Sequence, residues 1–159
     1  MIKTVRIDHR LLHGQVAFSW TKFLEADCIL LASDELMKDE LKMSAMRLAK
    51  PVGVKLVMKS LDDSIQAIKS GVTDKYKLFI IVESVEDAYR LCNGIDAIKS
   101  VNIGGMKMRE DRRQISKAVF VSEDDICLFQ ELHQRNIELE VRLVPSDTKQ
   151  DVMSLIKNK

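Results

Sequence analysis

Short apolar runs alternate with helix-period stretches along the whole chain, and this alternation most narrows the fold. The runs lie at Lys3–Ile7, Cys28–Ala32, Val54–Met58, Leu78–Val82, Ser100–Ile103, Ala118–Val121 and Leu139–Leu143. Several are continuous rather than alternating, which predicts strands buried on both faces. Between them, Val16, Trp20, Phe23 and Leu24 share one helical face. So do Leu61, Ile65 and Ile68; Val85, Ala88, Tyr89 and Cys92; Ile126, Phe129 and Leu132; and Val152, Leu155 and Ile156. Ser60, Ser84 and Ser122 each stand three positions before an aspartate, the spacing of a helix cap and its N3 partner. Pro51, Gly71 and Gly94 fall at or just past helix ends, where chain-breaking residues belong. Repeated strand–helix units of this size predict an α/β fold: a doubly wound, mostly parallel central sheet with helices on both faces. Gly104–Ser116 breaks the pattern, with Gly104-Gly105 followed by the charged run Lys107–Arg113. That stretch is expected to be a loop with an irregular or antiparallel piece, and an antiparallel edge strand fits the class. No linker, repeat or low-complexity tract interrupts the chain, so one domain over residues 1–159 is expected.

Composition removes several function classes. Lysine and arginine number 25 against 24 aspartates and glutamates, so no global charge excess points to nucleic acid or an anionic membrane. Any anion specificity must come from a local site. No apolar run is long enough to span a bilayer, and no signal-peptide core follows the start. The three cysteines, Cys28, Cys92 and Cys127, are scattered without metal-like spacing. They read as free thiols, small buried hydrophobes in a reducing cytoplasm.

In a doubly wound sheet, ligands bind beyond the carboxyl ends of the strands. Asp8–Gly14, Ser33-Asp34, Glu83-Ser84 and Gly104-Gly105-Met106 all occupy such positions. The first is the richest: Arg6, Asp8, His9, Arg10, His13 and Gly14 surround one strand-to-helix junction. Free backbone N–H groups and the positive end of a helix dipole favour an anion there. Two arginines, able to donate in pairs, sharpen that anion to a phosphate. A histidine adds a nucleophile, since an imidazole's ordinary pKa of ~6.5 leaves it largely neutral at cytosolic pH. Attack on phosphorus needs positioning and positive groups on the equatorial oxygens. Arg6, Arg10 and the N–H groups around Gly14 can supply those groups, and Asp8 can hold an arginine or the imidazole. On spacing alone His13 is equally a structural histidine at a helix start.

Other chemistries fit less well. His9 and His13, four apart, could share a helix face and bind zinc, but no third ligand is evident and neighbouring arginines repel a cation. Neither a dinucleotide fingerprint nor a P-loop is present. No metal and no cofactor are therefore expected. Two rivals remain: a non-catalytic module that binds phosphate or an anionic metabolite, and a small metal-dependent hydrolase using His9 and His13. His133 reads as solvated surface, Met37, Met43 and Met46 as core filler, Trp20 as a core anchor and Lys107–Arg113 as a solvated loop.

The run Arg6-Ile7-Asp8-His9-Arg10-Leu11-Leu12-His13-Gly14-Gln15-Val16 closely resembles the signature of the IIB subunits of the mannose/fructose/sorbose family of the bacterial sugar phosphotransferase system. The likeness continues through Trp20, Ser33-Asp34, Asn102-Ile103-Gly104-Gly105-Met106, Gln114-Ile115-Ser116 and Val144-Pro145-Ser146-Asp147. The resemblance implies a phosphoprotein with transferase activity. His13 would be phosphorylated on Nδ1 by a phosphohistidine of a IIA partner. It would pass the phosphoryl group to a sugar bound by membrane IIC and IID subunits. Arg6 and Arg10 would bind the phosphate, with Gly14 beside them and Asp8 and Gln15 in support. His9 falls at a position that is often another polar residue. The resemblance also implies a cytoplasmic protein held peripherally at a membrane permease. His13 is then expected to be surface-accessible, ringed by Ser33-Asp34 and the Gly104–Met108 loop.

Overall fold

A computed structural model describes residues 1–158. The strands are β1 (Ile2–Asp8), β2 (Cys28–Ala32), β3 (Lys55–Lys59), β4 (Leu78–Val82), β5 (Ser100–Gly105), β6 (Arg113–Ser116), β7 (Val119–Val121), β8 (Glu138–Val141) and β9 (Gln150–Asp151). The helices are α1 (Gly14–Leu24), α2 (Glu40–Ala49), α3 (Leu61–Lys69), α4 (Val85–Gly94), α5 (Glu123–Gln134) and α6 (Val152–Asn158). Seven strands form the main sheet in the order β3-β2-β4-β1-β5-β8-β9. All its pairs are parallel except β8–β9, which closes one edge antiparallel. The expected α/β class holds, with helices on both faces.

The central strands β2 and β4 are buried along their whole length, as continuous apolar runs require. Their neighbours form two cores, one on each face. Leu11, Leu12, Ala17, Trp20, Met43 and Met46 pack with Ile29, Leu31, Phe79 and Ile81 under α1 and α2. The opposite face is covered by α3, α4 and α5, whose Leu61, Val85, Ala88, Phe129 and Leu132 meet Val5, Ile7, Leu30, Ile80 and Val101. The two sets interleave along each strand, so β1 sends Ile7 to one core while its neighbours Arg6 and Asp8 point the other way.

This winding positions the site. The chain leaves the carboxyl end of β1 for α1 on one face, while flanking strands β4 and β5 lead to α4 and α5 on the other. A crevice opens at such a reversal. The register places Ile7 opposite Val82 and Arg6 opposite Asn102, so Asp8 ends β1 between β4 and β5.

Five expectations change. The run near Ala118–Val121 forms β7, which pairs antiparallel with β6 in a separate two-stranded sheet. Phe23 does not join the α1 core. It is 54% exposed, set edge-on to Trp20 with the Arg142 guanidinium 5.3 Å from its ring. Met37 sits in a 3-10 turn (Leu36–Lys38) rather than a helix, and faces outward while Met43 and Met46 are buried. Cys127 is exposed, unlike Cys28 and Cys92, and all three are free thiols. The charged loop is partly structural: Arg112 pairs with Asp125 at 3.2 Å, and Arg113 donates to the Ile156 carbonyl.

Candidate functional site

Asp8 organises the turn between β1 and α1. Its carbonyl accepts from Leu11 N–H at 2.9 Å and its Oδ1 accepts from Arg10 N–H at 3.0 Å. The chain then turns through two left-handed residues, Leu11 at φ +58° and Gly14 at φ +45°. Leu11 is not glycine, so its conformation costs about 1–2 kcal/mol. Burial of Leu11 and Leu12 in the core under α1 offsets that cost and pins the loop. A Cβ on Gly14 would meet nothing within 4 Å. The glycine is therefore needed for its backbone angle, and open space lies before it.

His13 occupies the N-cap position of α1, and its side chain makes no capping bond. The imidazole turns back instead, placing Nε2 2.9 Å from Asp8 Oδ2. A carboxylate oxygen only accepts, so Nε2 carries a proton, and in the neutral ring Nδ1 keeps the lone pair. The side chain is 20% exposed, enough to reach a partner while its far edge stays anchored. No acidic residue lies in the first turn of α1, and the positive end of that helix is uncompensated.

The two arginines separate. Arg10 is exposed, and its guanidinium makes no hydrogen bond or ion pair among the described residues. It is the open cation of the loop. Arg6 was expected beside it on the phosphate, but is only 1% exposed. Its Nη2 donates to Asp8 Oδ2 at 3.1 Å and its Nη1 to Asn102 Oδ1 at 2.6 Å. The ring of Trp20 lies 5.3 Å from its Cζ. Burial pushes the Arg6 pKa down and Asp8 opposes the shift, though a guanidinium stays charged at neutral pH. Arg6 therefore faces Asp8 from behind, because its strand position points it into the α1 core and not toward solvent.

The remaining expected residues divide similarly. Gln15 and Gly14 are exposed in the first turn of α1. His9 lies in the turn before the helix, so it shares no helix face with His13. Its N–H donates to the Gly105 carbonyl, and its buried Nδ1 has no partner among the described residues. Ser33 and Asp34 are turned to local partners. Ser33 Oγ donates to Glu83, which also takes Lys42 Nζ at 3.2 Å, and Asp34 accepts from Leu61 N–H and Arg90. Gly104, Gly105 and Met106 are buried; Met108 is 70% exposed. Trp20 is more than a core anchor, since its Nε1 donates to the Leu143 carbonyl at 2.8 Å and its ring centroid lies 5.3 Å from Arg6 Cζ and 4.9 Å from Arg142 Cζ.

Spacing placed Gly104 only in a strand-end loop and gave Asn102 no role, yet Asn102 bonds Arg6 and a Cβ at Gly104 would fall 2.0 Å from Arg6 Cζ. The available signal was a polar residue within a strand otherwise apolar enough to be buried. Asp87 is a second unanticipated group. Burial, reinforced by Glu83, pushes its carboxyl up to about 6.

Among the described residues, no helix is long and apolar enough to cross a membrane. Residues 2–159 match the family described as the PTS system sorbose subfamily IIB component. The sorbose-specific EIIB component of Lacticaseibacillus casei is 33% identical over 98% of this chain and 95% of its own. The fructose-specific EIIB component of Bacillus subtilis is 34% identical over 99% and 96%. The mannose-specific EIIAB component of Escherichia coli is 36% identical over 98% of this chain but only 48% of its own. The crystal structure of the IIBSor domain of the sorbose permease from Klebsiella pneumoniae superposes with a TM-score of 0.95. It is 30% identical and covers 100% of this chain and 98% of that one. With its site built around a buried Asp8 and a histidine at a helix start, the chain belongs to the sorbose-subfamily IIB components of the sugar phosphotransferase system.

Proposed function

We propose that this chain carries a phosphoryl group on His13 Nδ1, accepting it from a IIA phosphohistidine and giving it to a sugar held by membrane IIC and IID subunits. The observation that carries this reading is the Asp8–His13 bond, which occupies Nε2 and leaves Nδ1 as the ring's nucleophilic lone pair. The E. coli relative named EIIAB is about twice the length of this chain, which supports a IIA unit as the donor.

In the first transfer, Nδ1 bonds phosphorus as the donor's N–P bond breaks and its electron pair returns to the donor ring. The His13 ring, now substituted on Nδ1 and still protonated on Nε2, is formally cationic. The Asp8 carboxylate stabilises that charge through the bond it already makes. Arg10 and the free amides at the start of α1 meet the phosphoryl oxygens, each charge-assisted bond contributing about 1.5–3 kcal/mol. In the second transfer a sugar hydroxyl bonds phosphorus, the Nδ1–P bond breaks and the hydroxyl proton is released. Gln15 lines the approach, and Arg6 acts on phosphate only through Asp8. Exchange between proteins suits a cytoplasmic chain resting on its permease through small, transient contacts.

Incubation with phosphorylated IIA is expected to give one acid-labile phosphate per chain, and His13→Ala none. Phosphate that associates reversibly without a covalent bond would instead support the non-catalytic binding module.

A further inference from the structure

Asn102 is fully buried at the middle of the sheet, a polar side chain in an apolar strand. Its register partners are Arg6 on β1 and Glu140 on β8. Its Oδ1 accepts from Arg6 Nη1 at 2.6 Å, while its Nδ2 donates to the Arg142 carbonyl at 3.2 Å. These two bonds fix the amide, since the flipped form would set donor against donor and acceptor against acceptor. Gly104 bounds the same guanidinium from another side, because a Cβ there would fall 2.0 Å from Arg6 Cζ. Arg6 thus has one slot, and in that slot Nη2 meets the Asp8 oxygen that holds His13.

We propose that Asn102 and Gly104 are positioning residues for phosphoryl transfer: they fix Arg6, which fixes Asp8, which confines the His13 ring to one tautomer. The proposal rests on the reading of His13 as the phosphoryl acceptor. Neither residue touches the phosphate. A free imidazole exchanges its proton between both nitrogens, so loosening Asp8 exposes the Nε2 lone pair and lets the ring rotate. Residues that orient a reactive imidazole from behind change its reactivity by about 10- to 100-fold where they support a metal ligand, and a similar scale is expected here.

The test reads the His13 tautomer by 15N NMR on unphosphorylated protein, at a pH where the ring is neutral. Wild type is expected to show the Nε2–H form alone. Asn102→Ala removes the nearer of the two acceptors of Arg6 Nη1, leaving only the Arg142 carbonyl at 3.3 Å, and Gly104→Ala displaces the guanidinium; each is expected to give a mixture of tautomers and about tenfold slower phosphoryl acceptance. Val101→Ala lies on the same strand but in the opposite core, so it removes packing without touching Arg6. It is expected to lower the melting temperature and leave the tautomer unchanged. A mixed tautomer in wild type overturns the proposal, whether or not the variants fold. So does a pure Nε2–H form in a folded Asn102→Ala or Gly104→Ala, or an equal shift in Val101→Ala. Because the tautomer is read before any phosphate is added, a wild-type chain that never becomes labelled on His13 would sink the acceptor reading and leave this measurement standing.

Discussion

The N-terminus of α1 and those of α3, α4 and α5 end the same kind of strand-to-helix turn in opposite ways. Ser60, Ser84 and Ser122 each accept a hydrogen bond from the N3 amide of their helix. Each of those helices also carries acids in its first turn. At α1 the cap position holds His13 in extended backbone, its side chain makes no capping bond, and the first turn has no acid. In three helices a serine side chain thus caps an N-terminal amide, while at the fourth no side chain does so among the described residues. A serine cap contributes about 1 kcal/mol to stability. The turn before α1 forgoes that and adds left-handed strain at Leu11, as the proposed phosphate site requires of a turn kept open.

The sharpest way to break this comparison is to mutate each kind of helix start and read both stability and transfer. Arg10→Ala is expected to slow phosphoryl acceptance about 100-fold, the scale of losing a preorganised donor to transition-state charge. It should leave the melting temperature unchanged, since the guanidinium makes no hydrogen bond or ion pair among the described residues. Ser122→Ala is expected to do the reverse, lowering stability by about 1 kcal/mol with no change in transfer. Equal proportional losses of stability and transfer in both variants would erase the distinction.

A smaller effect separates two of the capped helices. Asp125 at N3 of α5 closes a capping box with Ser122 and pairs with Arg112. Asp87 at N3 of α4 faces Glu83 instead, and its pKa rises from 3.8 to about 6. A raised carboxyl binds its proton more tightly folded than unfolded. Stability from this group is therefore complete below about pH 4 and is lost as pH rises through about 6. The shift corresponds to about 3 kcal/mol, and partial exposure reduces it to about 1–2 kcal/mol. Chemical denaturation between pH 4 and pH 7 should show Asp87→Asn losing that slope and gaining about 1–2 kcal/mol at pH 7. An unchanged slope would show that Asp87 ionises freely.

Elements governed by local sequence were legible, and those governed by meetings between distant residues were not. Leu78–Val82 and Cys28–Ala32 are strands because both faces of each are apolar, and three serine caps stand where their spacing put them. The run near Ala118 also reads as a strand, but periodicity cannot name a partner, and β7 pairs with β6 outside the main sheet. The site shows the same division. His13 and Arg10 carry their chemistry in local spacing, while the burial of Arg6 depends on Asn102 from β5 and Trp20 from α1. An arginine near a phosphate motif reads as a phosphate ligand until the residues around it are known.

The most direct measurement of the central claim is the nitrogen that bears the phosphate. Wild-type chain labelled with 15N and phosphorylated by its IIA donor should show phosphorus–nitrogen coupling at His13 Nδ1, with Nε2 still protonated toward Asp8. Phosphate on Nε2, on His9 or on any residue other than His13 would contradict the account.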